Sequence, residues 1–112
     1  MSDRELLELA AKAAGVDVVE AMLIGGSESA FEGGNFAGLR LESGGVWNAL
    51  TDDGDALRLV VKLRMAVSVA EASIMVIREP IELYEPIGLD VGKSVRRAIV
   101  RAAAEIGKAG AQ

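Results

Sequence analysis

Three observations predict an α+β fold for this 112-residue chain, a three-layer α/β/α sandwich with three helices around a small, mainly antiparallel sheet of about four strands. Three segments carry apolar residues at helical spacing behind a capping side chain. Between them lie short runs rich in β-branched residues and bounded by glycine pairs or proline. One of these runs, Ile74-Met75-Val76-Ile77, is apolar without alternation, the pattern of a strand covered on both faces by helices.

The first helix follows from Ser2 and Glu5, a capping-box pair, and from Leu6, Leu9, Ala10, Ala13 and Ala14 on one face before Gly15. Arg4 and Glu8 stand four apart on its wet side. Residues 16–24 read as a strand that ends at Gly25-Gly26, residues 27–34 as a glycine- and serine-bearing loop, and residues 36–42 as a strand pairing back. Gly44-Gly45 turns the chain into Val46-Trp47. Thr51 or Asp52 caps the second helix, whose acidic first turn suits the positive end of the helix dipole. Its stripe of Ala56, Leu57, Leu59, Val60, Val61 and Leu63 is wide enough to imply deep burial against a sheet. Residues 65–70 and 73–78 read as a hairpin turning near Glu71-Ala72, closed by Glu79-Pro80, with residues 81–84 as an edge extension. Asp90 caps the last helix, which runs through Val91, Val95, Ala98, Ile99, Ala102, Ala103 and Ile106 to a stop at Gly107 or Gly110.

With 51% apolar and 26% charged residues the chain suits one domain, residues 1–112, with a core that needs no covalent staple. It has neither cysteine nor histidine, which removes disulfides, thiolate zinc sites and the commonest general base. Metal chemistry is thereby confined to oxygen ligands. The polar start and the shortness of the apolar runs predict a soluble protein of the bacterial cytosol with no membrane partner. Net charge is −5, divided between a last segment from residue 90 onward at +3 and a body at −8. Such a body disfavours bulk binding to nucleic acid and leaves room for a local basic patch.

Four groups of residues are candidates for chemistry. Asp52-Asp53-Gly54-Asp55 clusters carboxylates as a magnesium or calcium site would, but its spacing is not that of the twelve-residue calcium loop, and capping plus dipole compensation account for it. Gly88 to Ser94, G-L-D-V-G-K-S, is one residue short of a phosphate loop and lacks the strands that such a loop serves, which leaves weak anion binding by the helix N-terminus as its lesser reading. Lys93, Arg97 and Arg101 recur every four residues with Arg96 beside them, a basic face suited to a phosphate backbone or an acidic partner, or simply a solvated one. Trp47, the single tryptophan, could stack on a ligand, but its place where sheet meets helix is more often that of a core anchor.

Residues 47–63, W-N-A-L-T-D-D-G-D-A-L-R-L-V-V-K-L, together with residues 96–108, R-R-A-I-V-R-A-A-A-E-I-G-K, and residues 3–15, D-R-E-L-L-E-L-A-A-K-A-A-G, resemble a family of small phage and prophage proteins named for a phage ABA-sandwich domain. Trp47, Asn48, Asp52, Asp53, Gly54 and Asp55 match its signature W-N-P-L-x-D-D-G-D-A-L-R-L-A, while Ala49 replaces the usual proline and loosens the turn. The resemblance implies a layered sandwich and a phage or prophage origin, and it assigns no reaction and no role to the aspartates. The resulting expectation is a non-catalytic accessory module that binds a host or phage macromolecule, with no cofactor and no metal. Its candidate surface is Lys93, Arg96, Arg97 and Arg101 with the loop at 27–34. Nucleic-acid or nucleotide binding by the same basic face is the alternative, and a magnesium-dependent enzyme built on Asp52, Asp53 and Asp55 is a weaker one. Oligomeric state is left open.

Overall fold

The computed structural model describes residues 1–23 and 36–110, so the loop expected at 27–34 lies outside the described residues. In chain order the elements are α1 (Asp3–Ala14), β1 (Val18–Leu23), β2 (Phe36–Leu41), β3 (Val46–Trp47), α2 (Asp53–Leu63), β4 (Ala66–Val69), β5 (Ser73–Arg78), β6 (Ile81–Pro86) and α3 (Val91–Ala109).

The helix boundaries follow the capping chemistry. Ser2 and Glu5 form the full capping box at α1, and Gly15 closes the helix in the left-handed region at φ 69°. Asp52 accepts the Asp55 amide at the start of α2 at 2.8 Å, and Asp90 accepts the Lys93 amide at the start of α3 at 3.0 Å. These carboxylates satisfy amides that the first helical turn cannot pair. Gly107 does not stop α3, which ends at Gly110. Instead it lies buried inside the helix, because a Cβ there would collide with the Leu9 carbonyl of α1.

The fold is a mixed α+β sandwich of three helices and antiparallel strands. Its strands form two sheets, β1-β2-β3 and β4-β5-β6, where one sheet of about four was expected. The division has a local cause. β3 ends after Trp47 because the Asn48 side chain donates to the Ala37 carbonyl and accepts the Leu50 amide, each at 3.0 Å, turning the chain toward α2. At the other end of α2, Arg64 adopts the left-handed conformation and the chain enters β4, beginning a new sheet. Gly38 in β2 has φ 140°, and a Cβ there would come within 2.8 Å of the Trp47 carbonyl oxygen, so glycine permits β3 to pair closely.

The segment after Glu79-Pro80 is a full strand, β6, paired with β5 along its whole length from Arg78↔Ile81 to Ser73↔Pro86. β5 is also simpler than its composition suggested. Ile74 and Val76 are wholly buried, whereas Met75 and Ile77 are half-buried on the other face. That second face is the more open one, α3 being the helix that packs on this sheet among the described residues. It carries Met75 opposite Tyr84, whose exposed hydroxyl donates to Glu82 and whose pKa is raised by that hydrogen bond and charge. Apolar composition alone therefore overstated the coverage of this strand.

Packing joins the sheets through helices: β2 rests on α1, α1 packs along α3, and α3 lies on β5 and β6. Leu7, Leu39, Leu59, Ile74, Val76 and Val100 are the largest wholly buried side chains, one or more from each of these layers. Close packing of α1 on α3 is made possible by small residues, with Ala10, Ala11 and Ala14 on one helix and Ala98, Ala102, Ala103 and Gly107 on the other all buried.

Candidate functional site

The signature residues converge where β3 enters α2. Trp47 is only 5% exposed, and its neighbour Asn48 is buried with its amide hydrogen bonds satisfied. Asp55, from the first turn of α2, reaches back to accept the Asn48 amide at 3.0 Å and takes the Arg58 guanidinium at 2.9 Å on its other oxygen. Asp52 caps the helix, and Asp53 pairs with Arg96 of α3 at 2.7 Å. Gly54 fits because a Cβ would press to 3.1 Å from the capping carboxylate of Asp52. The three aspartates thus turn to different partners, and among the described residues no cluster of three acidic side chains gathers as a metal site would.

The basic residues of the last helix are placed on a central helix, not on an outer one. Arg96 donates to the Leu50 carbonyl at 2.9 Å as well as to Asp53, tying α3 to the start of α2. Arg97 reaches Asp3 of α1 at 3.4 Å, and Arg101 pairs with Glu85 of β6, whose side chain is only 13% exposed. Lys93 is exposed. The arginines therefore point to three separate elements, each with a carboxylate, and do not form one continuous basic face. Helix spacing put these residues on one helix and could not reveal the acidic partners, which come from residues 3, 53 and 85.

The segment resembling a phosphate loop is closed on itself. The Ser94 hydroxyl accepts the Gly88 amide at 2.9 Å and donates to the Asp90 carbonyl, while the Asp90 carboxylate occupies the Lys93 amide. Of the amides that would hold a phosphate at this helix start, that of Lys93 already has the Asp90 carboxylate as its partner and that of Ser94 the Asp90 carbonyl.

Two features of the α2 surface were not legible as surface. Leu57 and Val61, one helical turn apart, are 61% and 70% exposed, although they were expected inside a wide buried stripe. The buried side of α2 is narrower, consisting of Ala56, Leu59 and Leu63, because the helix packs on α1 and α3 rather than lying flat on a sheet. The second feature is a cleft of about 430 Å³ between the end of α1, β2, β3 and α2, lined by Ala14, Val16, Leu41, Trp47 and Leu59 with Asp55, Arg58 and Lys62 on its α2 wall. The 100° step per residue puts Leu57 and Val61 on one side of the Arg58–Lys62 row and the cleft on the other. The sequence signal for both was the same i, i+4 repeat, which gives residues a common face but not the direction in which that face points.

No helix among the described residues is long and apolar enough to cross a membrane. Comparisons of the chain with protein-family models, with curated proteins and with solved structures find no match.

Proposed function

We propose that this protein is a small phage or prophage accessory domain that binds a host or phage protein without catalysing a reaction, and that α2 supplies the contact surface. The observation that carries the reading is the Leu57–Val61 pair, two large aliphatic side chains left in water beside the cations Arg58 and Lys62. An apolar centre edged by charge is the composition of a protein-binding patch, and its complement is a partner surface that is apolar with acidic margins. The resemblance of residues 47–63 to the phage ABA-sandwich signature supports the origin. The signature's own polar residues are used in capping and pinning α2, which supports a binding role over an enzymatic one. Pairing of Arg96, Arg97 and Arg101 with internal carboxylates weighs against the nucleic-acid alternative, since it offsets much of the positive charge that a phosphate backbone would meet along α3.

Affinity capture from phage-infected cells, run with wild type and with a Leu57→Glu, Val61→Glu double variant, tests the reading. One defined protein retained by the wild type and lost by the variant, at an unchanged melting temperature, is the expected result. Retention that survives the double variant puts the surface elsewhere, and retention of DNA or RNA that falls steeply with salt replaces the protein partner with nucleic acid.

A further inference from the structure

The cleft behind Arg58 and Lys62 is separate from the Leu57–Val61 patch and has a chemistry of its own. Its floor and far wall are apolar, with Trp47 presenting the largest side chain and Leu41, Val16 and Leu59 around it. At about 430 Å³ it falls in the size range of small-molecule sites, which are characteristically apolar with a few placed polar groups.

Those polar groups are biased toward one sign. Among the described residues Asp55 is the only carboxylate of the lining, and both of its oxygens are engaged, one by the Asn48 amide and one by Arg58. Arg58 keeps its remaining N–H groups free of Asp55, its side chain being 75% exposed. Lys62, one turn further along, makes no ion pair among the described residues. An acidic protein thus carries, at the mouth of an apolar cleft, an ammonium without a carboxylate partner and a guanidinium with only one among the described residues. A cation entering this cleft meets two like charges, and a neutral apolar molecule leaves both unanswered.

We propose that the cleft binds a small amphipathic carboxylate, an aryl or medium-chain alkyl acid, with its apolar part against Trp47 and Leu41 and its carboxylate at Lys62 and Arg58. A monoanion with an apolar body is favoured over a free phosphate because most of the lining would gain nothing from a fully hydrated, multiply charged ion. The site goes beyond the protein-binding surface proposed for α2 and does not depend on it.

Titration with decanoate below its micellar concentration, followed by Trp47 fluorescence and by the backbone amide signals of Val16, Leu41 and Lys62, tests the site. A saturable response at these positions is expected, with decanol binding at least about tenfold more weakly and Lys62→Glu weakening decanoate by about tenfold or more. Lys62 is exposed, so this variant is expected to keep the wild-type melting temperature. The Leu57→Glu, Val61→Glu variant is expected to bind decanoate as the wild type does, which separates this site from the protein-binding surface. No saturable response at the cleft residues, equal affinity for decanol, or full affinity in Lys62→Glu overturns the proposal.

Discussion

α2 and α3 begin with the same device, an aspartate whose carboxylate takes the amide three residues on, and both carry apolar residues at helical spacing. Their surroundings are nevertheless opposite. α3 runs between α1 and the β4-β5-β6 sheet and buries residues on nearly every side, including Ser94, Val100 and Ala104, which lie off its expected stripe. α2 packs along one side only and leaves Leu57 and Val61 in water. Small side chains explain the difference in part, because Ala98, Ala102, Ala103 and Gly107 let other elements approach α3 closely. The lesson is that a helix rich in alanine and glycine can be central even with arginines along it, whereas a helix with a broad leucine and valine face can lie at the surface with part of that face spare.

The largest expected effect anchors the α2 side of this comparison. Trp47→Ala removes the buried ring on which the entry to α2 rests, with an expected loss of about 3–5 kcal/mol in denaturant unfolding. A native fluorescence spectrum already red-shifted and readily quenched would contradict that burial. Within α2, Leu59→Ala is expected to cost about 2–5 kcal/mol, and Leu57→Ala to stay within about 0.5 kcal/mol. Similar losses at both positions would erase the one-sided packing of this helix.

The α3 side is tested by Gly107→Ala, which places a methyl against the Leu9 carbonyl and is expected to destabilise by about 1–3 kcal/mol. A neutral or stabilising result, as an ordinary helical Gly→Ala change would give, would show that α1 and α3 do not approach so closely. The arginines sharpen the contrast further. Arg101→Glu leaves Glu85 facing a like charge in a partly buried place and is expected to cost about 1–3 kcal/mol. Arg97→Glu, whose partner Asp3 is exposed, is expected to cost no more than about 1 kcal/mol. Equal, negligible losses at both would restore the solvated basic face that helix spacing alone suggested.

The smallest effect concerns α1, which packs along α3. The Ser2 hydroxyl, and next the Ser2 amide, hold the Glu5 carboxyl below its ordinary pKa. A carboxylate lowered in the folded state contributes stability above its unfolded pKa and loses it as pH falls through the lower folded value. Glu5→Gln is therefore expected to flatten the acid side of the melting-temperature profile slightly and to leave the alkaline side alone. An unchanged acid side would remove the capping box from the acid response.

Local chemistry was the legible part of this chain. Ser2, Gly15, Asp52 and Asp90 act on amides or dihedrals within a few residues, so their roles at α1, α2 and α3 could be read without knowing what packs where. The burial of Trp47 and the structural use of Asp52 were readable for the same reason. The partners of Asp53, Arg97 and Arg101 were not, since Arg96, Asp3 and Glu85 stand 43, 94 and 16 residues away from them in the chain.

By itself the sequence determined the three helices with their N-terminal caps, most of the strands, and that a chain of this composition has a core of its own. Tertiary structure alone decided that the strands divide into two sheets, that α3 rather than α2 is the central helix, and that the Trp47 cleft opens beside Arg58 and Lys62. The physical reason is range. Capping and periodicity are set by neighbours a turn or less apart, whereas the direction in which an amphipathic face points depends on which distant surfaces can approach it, and that is settled by shape and charge only once the layers meet.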